Sequence, residues 1–428
     1  MPLVDKTERR LTSISSMLNQ ASRLQLVNSV LSSLPTYTMC SIMVPKGILD
    51  QIDRARKHCL WRKSEVSGKT KSVVAWRKVV KPKTKGGLGV VDLEAQNEAL
   101  LLKHLDKFYN RKEIPWVDLI WNSHYQNNLV PHAENDKGSF WWRDLLHLCD
   151  KFRGIAKCTL GNGTSVLFWL DVWNDHCLKD SLPRLFSFAK NQKISVAQFL
   201  SEENMDNNFY LPLSQQANEE YQQLREIIHS LQVHDEQKDQ WTYIWGSSKY
   251  TSKKMYNLPY KFIQPPKPFI WIWDSKCANK LKVFSWLMLV DRLNTRNILR
   301  RKKHNIQGND YSCAICTQQQ EETTFHLFFD CIFSRQCWHR LGIHWNNSLP
   351  FFQMMEEAKI NFAHPFFMEA VIIATWIIWK TRNAKNFEQQ QPSLQRWKRT
   401  FRDESFLQAH RMKEDLKTPF LTWVDSVS

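Results

Sequence analysis

Apolar residues recur at intervals of three or four along much of the chain, and this spacing predicts amphipathic helices. In the first quarter of the sequence the pattern predicts three helices, over residues 8–34, 47–62 and 93–108. Pro35 is expected to end the first of them, because proline cannot continue a helix. In the second helix Arg54, Arg56 and Lys57 lie off the apolar face. The chain is therefore expected to begin as a largely helical region.

The pattern changes in the middle of the chain, where short apolar runs alternate with polar turns. In the segment LGNGTSVLFWLDVW, the turn at residues 161–163 lies between runs rich in β-forming residues, which predicts a small hairpin. Residues 195–232 favour mixed helix and loop. Residues 240–256 predict a short β unit that leads into a helix.

Helical spacing returns in the last third of the chain. Residues 265–303 open with a proline-rich linker and predict a Trp/Leu helix that ends in a basic run, in which Trp286 is expected to be a core residue. The run PFFMEAVIIATWIIW is the most apolar of the chain, but it is only 15 residues long and contains Glu369. It is therefore expected to form a buried helix, because a membrane crossing needs about 20 apolar residues.

The chain has 428 residues and a formal net charge of +17, and this charge is unevenly distributed. Residues 1–113 hold 21 Lys and Arg against 10 Asp and Glu (21 − 10 = +11), and residues 247–345 hold 16 against 6 (16 − 6 = +10). The segment between them is acidic (11 − 17 = −6). Basic segments that contain aromatic residues favour binding to RNA or DNA, because each neutralised phosphate releases counterions. A solvated surface without such a partner explains the charge about equally well.

Four potential metal ligands lie close together late in the chain, with the spacing C-x2-C-x9-H-x4-C: Cys313, Cys316, His326 and Cys331. Three thiols and one imidazole are one of the ligand sets of tetrahedral structural zinc sites. Cys337 and His339 are near enough in sequence to be alternative ligands. Because four protein ligands leave no coordination position open, the pattern predicts one structural Zn²⁺ ion rather than a catalytic one.

Candidate catalytic groups are scarce. The sequence contains no Asp-Asp pair, although metal-dependent nucleotidyl transfer needs carboxylates that converge on two cations. The GNG turn lacks the lysine of a phosphate-binding P-loop, and no serine lies in a G-x-S-x-G elbow. Asp171, at the end of an apolar run, is more typical of a turn than of a metal site. The chain is therefore expected not to be an enzyme.

Several longer segments resemble LINE-type, non-LTR retrotransposon reverse transcriptases of the kind found in plants. The runs RLTSISSMLNQASRLQLVNSVLSSLPTYTMCSIMVPKGILDQIDRARKHCLW and VAWRKVVKPKTKGGLGVVDLEAQNEALLLK are similar to the region after the polymerase palm. IWDSKCANKLKVFSWLMLVDRLNTRNILRRKKHN, followed by CAIC, EETTFHLFFDC and CW, resembles the zinc-binding domain of that family. The resemblance covers residues 8–388, with Ser22 standing where relatives usually carry glycine.

The resemblance implies the same zinc ligands as the spacing does. It also implies that the Tyr/Phe-x-Asp-Asp polymerase motif of the family lies upstream of residue 1, and that a ribonuclease H domain would follow the segment ATWIIWKTRNAKNFE. Only 41 residues follow Phe387 (428 − 387 = 41), too few for such a domain. The chain is thus expected to be the middle of a longer polyprotein.

The expected fold class is mainly α with small β elements, in a multidomain chain that includes a small zinc-stabilised helical domain. Four segments are expected: a helical post-palm, thumb-like region (1–110), a mixed α/β connection region (111–246), the reverse-transcriptase zinc-binding domain (247–345) and a helical tail that precedes the missing ribonuclease H domain (346–428).

The expected function is non-catalytic binding of zinc and of RNA or DNA, with neither a membrane nor a small-molecule substrate as partner. The candidate nucleic-acid contacts are Lys81, Lys83, Lys85, Arg292, Arg300, Arg301, Lys302 and Lys303. One alternative is a part of an active RNA-directed DNA polymerase whose carboxylates come from another chain; another is a decayed element or a protein-interaction scaffold. The first ten residues, MPLVDKTERR, lack the apolar run of a secretory signal. Dispersed cysteines favour a reducing compartment. An intracellular protein, nuclear or cytoplasmic, is therefore expected.

Overall fold

The computed structural model describes residues 2–9, 18–61, 73–125, 138–231, 237–306 and 310–427. These residues are mainly helical and include one small sheet, which confirms the predicted fold class. They form two compact units. Unit 1 comprises residues 1–34, 50–92 and 260–428, and unit 2 comprises residues 35–49 and 93–259. Each unit therefore joins segments that are distant in the sequence.

The α-helices are numbered in chain order. Up to residue 231 they are α1 (Pro2–Arg9), α2 (Gln20–Leu26), α3 (Thr36–Met39), α4 (Lys46–Trp61), α5 (Trp76–Val79), α6 (Leu93–Tyr109), α7 (Pro115–His124), α8 (Phe140–Leu146), α9 (Cys149–Arg153), α10 (Leu178–Ser181), α11 (Pro183–Ser187), α12 (Val196–Ser201) and α13 (Gln215–His229). After residue 237 they are α14 (Ser252–Asn257), α15 (Lys267–Asp274), α16 (Asn279–Leu289), α17 (Arg296–Arg301), α18 (Ile332–Arg340), α19 (Phe351–Phe362), α20 (Phe367–Glu388), α21 (Leu394–Ala409) and α22 (Glu414–Val427).

Shorter elements complete the described chain. Single turns of 3₁₀ or π-helix lie at Val27–Leu31, Lys83–Lys85, Met205–Asn208, Leu258–Tyr260 and His326–Asp330. The strands are β1 (Ala156–Thr159), β2 (Val172–Asn174), β3 (His176–Cys177) and β4 (Gln240–Tyr243).

Helix α20 is the centre of unit 1. Nearly all its side chains from Phe367 to Ile378 are buried, because α15, α16, α19 and α21 pack around it. A helix that is apolar on all sides is stable only when it is enclosed in this way. The prediction of a buried helix for this apolar run is confirmed. Among the described residues no single helix has the length and apolarity needed to cross a membrane; by length and composition alone, the bent pair α19 and α20 together would.

The predicted helix in residues 265–303 is three helices, α15, α16 and α17. The first break follows Ser275, which is extended (ψ 157°), and the second contains Asp291, which has a positive φ of 54°. Trp286 on α16 is fully buried, as predicted, and its indole N–H donates to the carbonyl oxygen of Gly86 (2.9 Å). The neighbouring Gly87 allows the turn to close, because a Cβ there would lie 1.9 Å from the carbonyl oxygen of Lys81.

The three N-terminal helix predictions have different outcomes. Helices α4 and α6 confirm two of them, while of residues 8–34 the segment 10–17 lies outside the described residues. Arg56 differs from expectation, because its side chain is fully buried. Its guanidinium is paired with Asp53 and also donates to the carbonyl oxygen of Val91. The indole of Trp76 donates to the same Asp53 carboxylate (2.7 Å), so the polar groups satisfy one another inside unit 1.

The sheet of unit 2 has the strand order β3-β2-β1-β4. Strand β1 pairs antiparallel with β4, which begins 81 residues after β1 ends (240 − 159 = 81), and parallel with β2 through Lys157 and Val172. The prediction of a hairpin at residues 161–163 is therefore wrong, because the two flanking strands run in the same direction. The β unit and helix predicted for residues 240–256 are confirmed by β4 and α14.

The GNG turn instead folds around one buried carboxylate. Asp239 accepts hydrogen bonds from the backbone N–H groups of Gly161 (2.9 Å), Gly163 (2.9 Å) and Ser165 (3.0 Å), and from the Ser165 hydroxyl (2.7 Å). Gly163 has a φ of 68°, which favours glycine. The motif is thus explained by the structure of unit 2 and needs no phosphate ligand.

Candidate metal centre

The Cys313 to Cys316 turn is held by a short antiparallel return of the chain. The N–H of Cys313 donates to the carbonyl oxygen of Gln320 (2.8 Å), and the N–H of Glu322 donates to that of Tyr311 (3.0 Å). Gln319 takes a positive φ of 51° at the reversal. The polar residues between the two halves of the motif therefore form a loop that returns the chain toward the Cys313 to Cys316 turn.

His326 and Cys331 lie at the two ends of the π-helical turn His326–Asp330. The N–H of Cys331 donates to the carbonyl oxygen of His326 (2.7 Å), an i→i+5 hydrogen bond. The hydroxyl of Thr323 accepts from the N–H of His326 (3.0 Å) and caps the start of the turn. The wider π turn brings side chains five residues apart to the same side, which is how the H-x4-C spacing converges.

The four donor atoms of Cys313, Cys316, His326 and Cys331 all lie within 4.8 Å of one another. Two of the distances are 3.9 Å between the sulfurs of Cys313 and Cys331, and 3.3 Å between the Cys316 sulfur and His326 Nε2. Tetrahedral zinc with bonds of about 2.3 Å to sulfur and about 2.0 Å to nitrogen requires separations of about 3.8 and about 3.5 Å. The donor set and its spacing therefore fit a zinc ion.

Burial and mutual contact shift the thiols of this cluster in opposite directions. The hydrogen bond to Cys331, and then burial, raise the pKa of the Cys313 thiol well above its usual range. The same hydrogen bond lowers the pKa of the Cys331 thiol below its usual range, and backbone N–H groups at the start of α18 act in the same direction. One thiolate is thus stabilised within the cluster, and a thiolate is the form that binds metals.

The two alternative ligands do not join this cluster. Cys337 is fully buried in the core of unit 1, where burial raises the pKa of its thiol, and His339 is exposed on α18. Among the described residues, the structure groups neither of them with the other donors.

A carboxylate lies behind the imidazole of His326. Asp330 Oδ2 is 3.8 Å from Nδ1, the ring nitrogen that does not face Cys316. The same carboxylate is paired with Arg335 and accepts from the Asn347 amide (3.2 Å). Carboxylates beside the second nitrogen commonly orient metal-binding histidines, so the arrangement suits coordination through Nε2.

Sequence reasoning missed a buried ion pair that supports the knuckle Cys313 to Cys316. Glu322 is fully buried, and its carboxylate accepts from the Ala314 N–H inside the knuckle (3.3 Å) and from the Arg296 N–H (2.9 Å). Arg382 of α20 donates to the same carboxylate through Nη2 (2.6 Å) and Nε (3.1 Å). A single Glu in a polar loop has no periodic signature that would have revealed this role.

The second basic block surrounds a cavity of about 790 Å³, called the basic cavity below. Its described lining residues are Val73, Arg292, Ile298, Arg301, Lys302, Lys303 and His304. Arg301 is paired with Asp291 (2.6 Å), and Lys302 donates to the Asn294 side chain (3.0 Å). Arg300 is placed elsewhere, since it is paired with Glu321 (3.3 Å). Four of the five predicted contacts of this block thus lie together.

The candidate lysines of the first basic block make contacts within unit 1. Lys85 Nζ donates to the carbonyl oxygens of Lys261 (3.1 Å) and Ile263 (3.0 Å), and the Lys83 ammonium lies 4.6 Å from the ring centre of Trp273. Lys81 is half-buried beside the glycine turn. Lys83 and Lys85 of the first block therefore already have partners within unit 1.

Asp171, the one carboxylate considered as a metal ligand, is fully enclosed in unit 2. It accepts from the Leu167 N–H (2.6 Å) and is paired with Arg153 (2.8 Å). This is the arrangement of a structural carboxylate, in agreement with the turn role expected from the sequence.

Comparisons with known proteins agree with this geometry. Residues 250–338 match the family model described as zinc-binding in reverse transcriptase. The chain is 24% identical over 343 residues to a putative ribonuclease H protein of Arabidopsis thaliana, which covers 76% of the chain and 52% of that protein. An uncharacterized mitochondrial protein of the same plant is 28% identical over 144 residues, 33% of the chain and 92% of that protein. The chain thus spans about half the length of the first relative.

Proposed function

Because residues 250–338 match the family model for zinc binding in reverse transcriptase and the similar proteins come from a plant, we propose that the chain is a non-catalytic zinc- and nucleic-acid-binding part of a plant retrotransposon reverse transcriptase. Cys313, Cys316, His326 and Cys331 hold one structural zinc ion. The observation that carries this assignment is the convergence of their four donor atoms within 4.8 Å.

The bound ion supplies a cross-link between the knuckle and the π-helical turn, and four protein ligands leave no coordination position for a reacting molecule. The chain's own residues prepare for it. The loop returns by backbone hydrogen bonds, Thr323 caps the turn that carries His326, and Asp330 lies behind the imidazole. These contacts orient the ligands, which reduces the conformational ordering that metal binding requires.

Nucleic acid binds at the basic cavity in this proposal. Arg292, Lys302 and Lys303 lie on or beside α17, which precedes the knuckle in the chain. The N–H of Arg296, the first residue of α17, donates to Glu322, which also accepts from the knuckle. The zinc site and the cationic surface are thus linked by one carboxylate, so loss of the metal is expected to weaken nucleic-acid binding.

The zinc assignment is tested by elemental analysis of the purified chain and of a Cys313→Ser/Cys316→Ser variant. A matched control is Cys40→Ser/Cys177→Ser, which removes two thiols of unit 2. One zinc per chain is expected in the wild type and in the control, and none in the first variant. Cys337→Ser should retain its zinc; loss there together with retention in the first variant would refute the ligand assignment.

The nucleic-acid assignment is tested by the salt dependence of oligonucleotide binding. A variant with Arg292, Lys302 and Lys303 changed to Gln is compared with one in which the exposed Lys190, Lys193 and Lys413 are changed to Gln. Each lost phosphate contact lowers the slope of log K against log salt by about 0.7–0.9, so the first variant should lose about 2–3. Equal slopes in both variants would place the binding surface elsewhere, and a flat response in the wild type would favour the protein-interaction scaffold.

A further inference from the structure

A second, smaller cavity in unit 1 has a composition suited to one nucleotide. Its volume is about 310 Å³, and its lining includes three tryptophans and three cations: Trp61, Trp376, Trp379, Arg23, Lys280 and Arg292. Among its described lining residues there is no carboxylate. We call it the tryptophan pocket. Aromatic surfaces together with cations favour a ligand that is planar, aromatic and anionic.

The cations of the tryptophan pocket are held in place by the fold. Arg23 is only 6% exposed, so its charge is set at the wall of the pocket. Lys280 extends over the ring of Trp376, 5.0 Å from its centre, and Arg292 Nη1 donates to the carbonyl oxygen of Asp291 (2.7 Å). The Asp291 carboxylate itself is engaged by Arg301 and by the Thr324 hydroxyl (2.7 Å). Asp291, which is next to Arg292 in the sequence, therefore already has other partners for its carboxylate.

The tryptophan pocket and the basic cavity share part of their walls. Val73 and Arg292 line both of them. A phosphate bound by Arg292 is therefore close to both cavities, so that one strand can place a base in the first and its following phosphates in the second. This continuity distinguishes the pocket from an isolated surface depression.

The size of the pocket selects among nucleic acids. Ligand pockets for small molecules begin at about 300 Å³, so this one accommodates about one nucleotide, whereas stacked and paired bases of a duplex cannot enter it. We propose that the tryptophan pocket binds one unpaired nucleobase of a single-stranded RNA or DNA whose neighbouring phosphates lie along the basic cavity. This inference rests on the proposed function and narrows its partner from nucleic acid in general to a single strand or an unpaired end.

The test compares a short single-stranded oligonucleotide with the blunt duplex of the same sequence, by fluorescence anisotropy at fixed moderate salt. Ala21→Phe fills the pocket from α2, and Lys280→Glu reverses an exposed charge in its lining. Each variant is expected to weaken single-strand binding about tenfold, the scale of one base contact, and to change duplex binding less than about twofold. The change Lys413→Gln, which removes one exposed charge outside both cavities, serves as a control that affects neither.

Zinc content and circular dichroism verify that the variants are folded. If Ala21→Phe does not fold, Lys280→Glu still tests the pocket. A 2-aminopurine base in the single strand provides a second readout, because its fluorescence should be quenched in the wild type and not in Ala21→Phe. Equal binding of single strand and duplex, or folded variants that bind the single strand as the wild type does, would overturn the inference while the proposed function stands. No binding of either oligonucleotide by the wild type would overturn both.

Discussion

The buried pair between Glu322 and Arg382 gives a sharp test of how the knuckle is supported. Its side chains are 0% and 5% exposed, and Arg382→Met removes the guanidinium while keeping a side chain of similar length. Among the described residues, the carboxylate of Glu322 then keeps the N–H groups of Ala314 and Arg296 as its remaining partners and stays buried. Breaking a buried ion pair from one side costs about 3–5 kcal/mol, because an uncompensated charge is left behind.

This cost is expected in two measurements. The free energy of unfolding should fall by about 3–5 kcal/mol, measured by urea titration in a zinc-depleted buffer. The apparent zinc affinity should fall at least about tenfold, because folding of the knuckle and metal binding are linked; competition with a chromophoric chelator measures it. Arg402→Met is the matched control, since Arg402 pairs with Asp425 at the surface (3.1 Å), where such pairs contribute about 0–1 kcal/mol.

A double variant separates the charge from the shape. Glu322→Gln/Arg382→Met leaves no buried charge, so it should be about 2 kcal/mol more stable than Arg382→Met alone. If the free energies of unfolding of Arg382→Met and of the Arg402→Met control differ by less than about 1 kcal/mol, the buried pair does not support the knuckle and the reasoning is refuted.

Three further predictions concern unit 2. Asp239→Asn replaces one accepting oxygen by an amino group and leaves two of four donors unpaired, so stability should fall by about 4 kcal/mol in denaturant titration; a change below about 1 kcal/mol would contradict the role of this carboxylate. Asn97→Ala removes the amide that bonds Val44, Met39 and Ile42, and should cost about 3 kcal/mol by the same assay. Burial lowers the pKa of His104 below 6.5, so the unfolded chain binds the proton first; stability should fall as pH drops from 6.5 through the lowered pKa, and His104→Asn should remove that part of the pH dependence.

The grouping of the four Cys and His side chains could be predicted from the sequence because the information for it is local. Four ligands within 19 residues (331 − 313 + 1 = 19) carry their geometry in their spacing, and the turn at Gln319 and the π turn after Thr323 need few distant contacts to form. The long apolar run of α20 was equally accessible, since a helix that is apolar on every face has only the interior as a stable location.

The predictions that were wrong, the hairpin at residues 161–163 and the exposure of Arg56, failed because they depend on contacts with distant residues. The glycines at 161–163 correctly indicated a turn, but turn propensity does not specify which strand pairs with β1, and the partner β4 lies far along the chain. The buried Asp239 that organises the turn is 76 residues after Gly163. The charge of Arg56 likewise predicted exposure, and only the enclosure by Asp53 and Val91 makes its burial possible.

Long-range contacts also extend past the end of the family match. The family match closes at residue 338, immediately after the last ligands and their aromatic core. Arg382 lies 44 residues beyond that limit (382 − 338 = 44), yet it neutralises the carboxylate that holds the knuckle. A boundary drawn from ligand spacing alone leaves Glu322 buried without its cation, which is the most unfavourable arrangement for such a group. The contacts that position the four candidate ligands therefore extend to α20, through the Arg382 guanidinium and the Glu322 carboxylate.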